Sequence, residues 1–307
     1  MTFHDFEQLW KKIPQTNNGY VSLDSDSPLK LELGYHANNT KSFVVDDVGN
    51  LEPLPSSNAI HANIYILSNG TKILEFQLVN NEYEDVFLRL CWDLINSTVG
   101  IPKPLTALIE RYLKWQKLLQ RMSSGTLSYE RQKGLLGELL YLEEMIKRIG
   151  CEAAVAAWVG PEGSDQDFVF CRDWTEVKTI SIGAKVVRIS SLEQLNQNCI
   201  GALHIFILES TTPGENRKTL NGEISRIRAL LMDDPIVRDK FETKLVMAGY
   251  NPTDKLKYEK NVFRFVEERE YSVDKDFPKL TSANVPIGVQ ECKYAISLST
   301  IENFRRQ

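Results

Sequence analysis

GSDQDFVFCRDWTEVKT, residues 163–179, holds two short apolar runs of the kind that form neighbouring strands. Asp167 stands at the head of the first run, and the second run carries Glu176 and Lys178 on either side of Val177. Because side chains alternate along a strand, Glu176 and Lys178 point to one face and Val177 to the other. Two carboxylates and one ammonium therefore meet on a short hairpin, a set that suits Mg²⁺ and metal-assisted phosphodiester hydrolysis.

The triplet Glu-x-Lys has an ordinary alternative, because on most strands it is a solvated face or a surface ion pair. Two features favour a functional site instead. An acid heads the apolar run at residues 168–170, and Glu176 and Lys178 share their face with Trp174 and Ile180. A purely solvated face does not favour those two apolar neighbours.

Residues 127–150 show the strongest helical periodicity in the chain and end at a glycine suited to a C-cap. At about 100° per residue, Glu138 falls inside the apolar arc of this helix. A carboxylate in apolar surroundings is costly unless it is paired or bound to a metal. The alternatives are a buried ion pair with an Arg or Lys and a glutamate at the edge of the core. Just before Glu138, Gly134 and Gly137 would allow another segment to approach the helix backbone closely, at some cost in helix propensity.

Composition indicates an ordinary globular chain, with 307 residues, 42% hydrophobic and 25% charged. No run approaches the ~20 apolar residues of a membrane span, and residues 1–12 lack the apolar segment of a signal peptide. The five cysteines are odd in number and form no Cys-x-x-Cys pair. They predict reduced thiols and a cytoplasmic location, with no membrane partner.

Charge is distributed unevenly along the chain, whose net charge is −5. Residues 1–100 hold 6 Lys/Arg against 13 Asp/Glu, whereas residues 101–150 hold 9 against 5. In the second segment four basic residues recur at helical spacing beside a tryptophan. These are Arg111, Lys114, Lys117 and Arg121. Such a stripe can track the phosphates of a nucleic acid; the alternative is a solvated helix face.

The order of the elements predicts two domains. Residues 1–100 are a β-rich N-terminal module, in which Asn69-Gly70 marks a hairpin between strands at 62–67 and 72–78, and residues 100–104 carry two linker prolines. Residues 101–307 form the second domain, which contains the motif. Its predicted sheet strands lie at 167–171, 175–180, 186–189 and 203–208. A helix is predicted at 192–197, before the last of these strands.

Together, Glu138 on a helix, Asp167 at a strand start and the Glu-Val-Lys triplet at 176–178 resemble the PD-(D/E)XK nuclease superfamily. GLLGELLYL, WVGPEGSDQDFVF and WTEVKT followed by VRISSLEQL are similar to a bacterial family of PD-(D/E)XK proteins. The similarity extends to EREYSVDKDFPKL and KYAISLSTIENF near the C-terminus. One departure is mild: Gln166 stands where the motif name places a proline.

The resemblance implies an α/β fold, with a restriction-endonuclease-like mixed central sheet flanked by helices beside the N-terminal β-rich module. It also implies that Asp167, Glu176 and the carbonyl of Val177 bind the metal. Lys178 positions or activates the attacking water, and Glu138 holds a metal-bound water or a second ion.

Gln194 follows the third predicted motif strand, and the resemblance places it at the lining of the site; an exposed glutamine on a helix is the alternative. The implied function is a Mg²⁺-dependent DNA endonuclease, with Mn²⁺ as a substitute. The implied setting is bacterial restriction or phage defence beside a methyltransferase or an ATPase, with a homodimer left open. The alternative is a catalytically silent nuclease fold that binds DNA or protein as a scaffold.

Overall fold

A computed structural model describes residues 1–15, 19–36, 39–122, 126–196, 199–214 and 217–306, with residues 120–122 described by their backbone alone. The chain forms two compact units. The first comprises Met1–Gly125 and Leu245–Gly249, and the second comprises Thr126–Lys244 and Tyr250–Gln307.

The first unit packs helices against one face of an antiparallel sheet, with the strand order β1-β2-β3-β5-β4. Side chains alternate between the two faces of the sheet along each strand. On β2, Leu31, Leu33 and Tyr35 are buried in the hydrophobic core, whereas the intervening side chains point away from it. The elements are α1 (Phe3–Lys12), β1 (Gly19–Ser22), β2 (Leu31–His36), β3 (Thr40–Val45), β4 (Ile60–Ile66), β5 (Lys72–Leu78), α2 (Glu84–Asn96) and α3 (Pro104–Met122).

The hairpin predicted around Asn69-Gly70 is confirmed. Strands β4 and β5 pair antiparallel, with Ile66 opposite Lys72. Gly70 has φ of +83°, a conformation that glycine adopts without the strain of a side chain. The local turn residues therefore predicted this pairing correctly.

The boundary between the two units differs in position from the predicted linker at residues 100–104. Helix α3 follows that linker, yet it lies within the first unit. Its side chains Leu108, Tyr112 and Trp115 are fully buried in the core of that unit. The proline-rich segment is a connection within the first unit, and the compact units divide after Gly125.

The second unit is built on a mixed sheet with the order β10-β9-β7-β6. Strands β7 and β9 are parallel, and the outer pairs are antiparallel. This mixed α/β architecture confirms the predicted fold class. The elements are α4 (Tyr129–Ile149), α5 (Cys151–Ala157), β6 (Phe168–Val169), β7 (Trp174–Ile180), β8 (Val186–Ile189), β9 (Gly201–Thr211), α6 (Leu220–Leu230), α7 (Pro235–Met247), α8 (Lys255–Tyr258), β10 (Val262–Val273), β11 (Tyr294–Ser297) and α9 (Leu298–Ile301).

Strand β8 corrects one expectation, because it does not extend the sheet of the motif. It pairs antiparallel with β11 in a separate sheet. Strand β9 takes the place beside β7, since its first eight residues are all buried and suit a central strand. In β8 exposed and buried residues alternate, which suits a strand with one face toward solvent. The helix predicted at 192–197 is a short 3₁₀ turn, Glu193–Leu195.

Helix α4 approaches the sheet closely at Gly137. A Cβ there would lie 2.3 Å from the Cγ2 methyl of Thr179, whereas a Cβ at Gly134 would meet no atom within 4 Å. We expect Gly137→Ala to lower the free energy of unfolding by about 1–3 kcal/mol through overpacking. Gly134→Ala should instead raise it by up to about 1 kcal/mol through helix propensity.

Chemical denaturation of both variants tests this pair. Because the clash involves one methyl group on a stiff β-branched side chain, Thr179→Ser should restore most of the stability of Gly137→Ala. Equal destabilisation by alanine at Gly134 and Gly137 would show that the close approach is not the cause.

Candidate active site

The hairpin β6–β7 brings the motif residues together. Asp167 precedes β6, and its Oδ2 accepts a hydrogen bond of 2.8 Å from the backbone N–H of Val177. On β7, the Nζ of Lys178 lies 2.6 Å from Oε1 of Glu176. The strand alternation inferred from the sequence thus puts the carboxylate and the ammonium side by side.

Glu176 is the most unusual member of the cluster. The residue has 0% exposure; its Oε1 is paired with the Lys178 ammonium, and its Oε2 has no hydrogen-bond partner among the described residues. Burial, with a further contribution from the charge of Asp167, raises the pKa of Glu176 to about 8. A buried carboxylate in this condition is a strong candidate for binding a cation.

Glu138 joins the cluster from helix α4. Its Oε2 accepts a hydrogen bond of 2.8 Å from the indole Nε1 of Trp158. Burial, and then the negative charge of Asp167, holds the pKa of Glu138 well above its usual range, and Glu176 adds to the effect. Burial likewise raises the pKa of Asp167. While no metal ion is bound, the three carboxyl groups therefore retain their protons to higher pH than ordinary carboxyls.

Lys178 is held in place by neighbours on both sides. Its Nζ donates to Oε1 of Gln194 at 3.3 Å, and the same oxygen accepts the backbone N–H of Ser190 at 2.8 Å. Burial on its own lowers the pKa of Lys178, but the charges of Glu176 and Asp167 outweigh it, so the net pKa is raised. Lys178 is consequently a fixed cation, and Gln194 anchors it.

The segment before Asp167 contributes two contacts that the sequence did not predict. Val159 and Gly160 both donate their backbone N–H groups to the carbonyl of Asp167, each at 2.9 Å. A Cβ at Gly160 would lie 2.9 Å from Oδ1 of Asp167 and 3.1 Å from its Cα. Glycine at this position lets the backbone come close enough to fix Asp167.

Gln166, which occupies the position of the motif's proline, also positions the site. It is 3% exposed, and its Nε2 donates to the carbonyls of Glu193 at 2.7 Å and Gln194 at 3.3 Å. The residue before Asp167 is therefore tied to the turn that carries Gln194. A buried amide with two backbone acceptors replaces the rigidity that a proline would give.

Trp158 is a further residue that sequence reasoning missed. It is fully buried, and Lys244 donates to its carbonyl oxygen at 2.6 Å and to that of Val155 at 2.8 Å. A cation at the C-terminus of α5 suits the negative end of the helix dipole. This arrangement holds the indole N–H that binds Glu138. The only signal in the sequence was an aromatic residue shortly before Asp167.

Comparison with known families agrees with this geometry. A model described as "Putative PD-(D/E)XK family member, (DUF4420)" matches residues 6–299. The chain belongs to this family. The resemblance inferred from the sequence is thus confirmed. Neither curated proteins nor solved structures gave a significant match. Within the described residues, no helix is both long and apolar enough to cross a membrane.

Membership of the PD-(D/E)XK family favours a divalent metal ion, and the cluster fits one. Among the described residues, Oε2 of Glu176 has no hydrogen-bond partner, while Asp167 and Glu138 each accept one hydrogen bond. Carboxylate oxygens are the ligands that Mg²⁺ and Mn²⁺ prefer. Val177 reaches the cluster through its backbone N–H, and a role for its carbonyl as a ligand stays a prediction.

The predicted basic stripe lies in the first unit, and the structure divides it. Arg111 donates through Nε and a terminal nitrogen to the carboxylate of Asp93, and its side chain is only 15% exposed. Lys114 and Lys117 are exposed, and the side chain of Arg121 lies outside the described residues. Contact with nucleic acid stays a prediction for the exposed lysines, whereas Arg111 is engaged in an ion pair.

A second group of potential ligands lies around His204 on β9. Glu144, His204 and Glu268 offer atoms within 4.8 Å of one another. The Nε2 of His204 lies 3.5 Å from Glu268, and its Nδ1 lies 3.8 Å from Glu270. These contacts are ion pairs whenever His204 is protonated. In a metal titration this group could bind the added cation in competition with the cluster of Asp167, Glu176 and Glu138.

Proposed function

We propose that the chain is a Mg²⁺-dependent endodeoxyribonuclease in which Asp167, Glu176 and Lys178 carry the chemistry. The observation that carries the proposal is the fully buried carboxylate of Glu176, whose Oε1 is paired with the Lys178 ammonium and whose Oε2 has no hydrogen-bond partner among the described residues. A structural ion pair alone leaves the desolvation of such a group poorly compensated. A divalent cation compensates it.

Asp167, Glu176 and the carbonyl of Val177 would hold the ion, and Glu138 would hold a metal-bound water or a second ion. Three carboxylates against one ammonium leave the cluster negative at high pH, which repels phosphate. When bound, a divalent ion supplies positive charge that polarises the scissile phosphate and stabilises the leaving oxygen. Mn²⁺ would substitute, since it accepts the same oxygen ligands.

Lys178 acts as a charged donor toward the attacking water. Its raised pKa keeps the ammonium protonated, so it orients the water and offsets developing negative charge instead of taking a proton. Gln194 restricts the ammonium by accepting from it at 3.3 Å. The pair therefore pre-organises the direction of attack.

Gln194→Ala tests this positioning role. We expect the cleavage rate to fall by about tenfold, since geometry is lost while the charge remains. DNA affinity and the thermal midpoint with Mg²⁺ should change little, because Gln194 binds neither phosphate nor metal. The matched control is Glu193→Ala, an exposed neighbour on the same turn, which should leave the rate unchanged. Equal effects of the two variants would contradict the role.

DNA as the substrate, and restriction or phage defence as the setting, are inferred from the family alone. We propose a methyltransferase or an ATPase as partners on the same ground, together with a cytoplasmic location. The proposed catalytic residues, Asp167, Glu176 and Lys178, lie in the second unit. Residues 1–100, the acidic and strand-rich part of the first unit, are accordingly proposed to recognise something other than phosphate.

The direct test incubates the purified full chain with supercoiled and linear DNA, and with RNA, in Mg²⁺, Mn²⁺ or EDTA. Metal-dependent nicking or cutting of DNA that is absent from Asp167→Asn would support the proposal. DNA binding without cleavage under every condition, with the partner proteins added, would favour the scaffold alternative. Cleavage of RNA alone would overturn the choice of substrate.

A further inference from the structure

The sheet of the first unit has a second face, opposite its helices, and this face holds a cavity. The side chains facing the core alternate with those facing the cavity, as strand geometry requires. The cavity has a volume of about 330 Å³, which suits a small ligand. Each strand of the sheet contributes to its lining. The principal polar and aromatic members are Tyr20, Glu32, His36, Asp46, Tyr65 and Glu75.

A glycine allows one aromatic ring to fold over this face. A Cβ at Gly34 would lie 2.2 Å from the carbonyl oxygen of Gly19 and 2.8 Å from Cδ1 of Tyr20. The absence of a side chain on β2 at this point lets Tyr20 lie against the strand. There its hydroxyl reaches Glu75. The wall of the cavity therefore depends on a backbone position that only glycine fits.

Glu75 forms the charged floor of the cavity and is 2% exposed. Its Oε1 accepts hydrogen bonds from the hydroxyls of Tyr20, at 2.7 Å, and Ser42, and the Nδ1 of His36 lies 3.0 Å away. Its Oε2 has no hydrogen-bond partner among the described residues. One half of a buried carboxylate is thus crowded with donors, while the other half lacks one.

The remaining lining determines which charge the cavity attracts. Glu32 and Asp46 add two further acids, and the described residues of the lining include neither lysine nor arginine. Tyr65 stacks on His36 with ring centroids 6.4 Å apart. Aromatic faces attract cations, and the apolar remainder of the wall, Val44, Leu67 and Ile73, suits methyl or methylene groups.

We propose that this cavity binds an organic cation, namely an ammonium group that carries alkyl substituents. The carboxylate of Glu75 neutralises the charge, and the aromatic rings surround the alkyl groups. The net acidity of residues 1–100 draws such a ligand to the unit and repels phosphate. The inference does not depend on the nuclease proposal, because every residue it uses lies in the first unit.

A matched pair of probes tests the charge. Choline and 3,3-dimethylbutan-1-ol have nearly the same shape, but only choline is charged. We expect choline to raise the thermal midpoint of the full chain in a dose-dependent manner, as a native-state ligand does, and the neutral alcohol to have little effect. Equal shifts with both compounds would overturn the proposal in favour of an apolar pocket. No shift with choline, tetramethylammonium or n-butylammonium would also overturn it.

Variants place the binding in this cavity. Glu75→Gln should weaken choline binding at least about tenfold in calorimetric titration, and Tyr65→Ala should weaken it severalfold. Tyr65 is 40% exposed, so its replacement keeps the test valid if Glu75→Gln fails to fold. Glu82→Gln removes an equal charge from an exposed site and is the control. Binding that survives Tyr65→Ala unchanged would overturn the assignment, and Asp167→Asn should bind choline as the wild type does.

Discussion

Lys178→Ala is expected to lower the rate of metal-dependent DNA cleavage by at least about 10²-fold, the range seen when one positioned charged or proton-transferring group is lost. The ammonium lies 2.6 Å from Glu176 and 3.3 Å from Gln194, at the centre of the cluster. Its loss removes the cation that we propose orients the attacking water. DNA affinity should stay within roughly threefold, since contacts to many phosphates dominate binding. Single-turnover cleavage and a filter-binding titration measure the two quantities.

Lys185→Ala is the matched control, because Lys185 is an exposed lysine of the same unit and its loss changes the net charge equally. It should cleave as the wild type does. Lys178→Arg should recover only a small part of the rate, since a guanidinium differs in shape from the compact ammonium. Cleavage at the wild-type rate by Lys178→Ala would remove the residue from the mechanism and point to a contaminating nuclease or another site.

The hairpin of the candidate site was predictable because its information is local. Alternation along β7 puts Glu176 and Lys178 on one face, whatever the rest of the chain does. Glu138 was identified by a similar local rule, its place within the apolar arc of α4. Both rules concern residues within one element, and the structure brings these side chains to one cluster with Asp167.

Residues whose role depends on a distant partner could not be identified in this way. Gln166 binds carbonyls 27 and 28 residues along the chain, and Lys244 binds the carbonyl of Trp158, 86 residues earlier. No periodicity records such contacts. Strand β8 shows the same limit, because its pattern predicted a strand correctly, but its pairing with β11 depends on packing more than 100 residues away.

The end of the first unit illustrates how tertiary burial overrides a local signal. Two prolines at 102 and 104 are typical of a linker, and Pro104 is the first residue of α3. Whether the next helix belongs to the earlier or the later unit depends on which core buries Leu108, Tyr112 and Trp115. A fragment that starts at residue 101 would carry those side chains without their core. We therefore favour tests on the full chain.

We expect Glu176→Gln to stabilise the metal-free protein between pH 4.5 and 8, and to destabilise the protein when metal is bound. In the metal-free protein the pKa of Glu176 is raised to about 8 from an ordinary 4.5. A raised pKa contributes stability that is complete below pH 4.5 and is lost as the pH rises toward 8, since the carboxyl of the unfolded chain ionises in this range while the folded chain keeps its proton. Without metal, the wild type should therefore lose stability relative to Glu176→Gln between pH 4.5 and 8.

Saturating Mg²⁺ or Mn²⁺ should reverse the order. The ion binds the ionised carboxylate and contributes about 2.7 kcal/mol at one hundred times its dissociation constant. Because bound protons compete with the ion, its affinity for the wild type should increase with pH up to about 8. Thermal melts of both proteins at pH 5, 7 and 8.5, in EDTA and in metal, give the full comparison.

The cluster around His204 makes one control essential. Glu144 and Glu268 are exposed and can take up a cation themselves, so a rise in the thermal midpoint does not by itself locate the ion. Glu268→Gln leaves the candidate active site intact and should keep the metal-dependent rise, whereas Glu176→Gln and Asp167→Asn should lose most of it. If Glu268→Gln abolishes the rise and Glu176→Gln retains it, the ion binds at His204. The raised pKa of Glu176 then reflects burial and the charge of Asp167 alone, and the assignment of Asp167 and Glu176 as metal ligands is wrong.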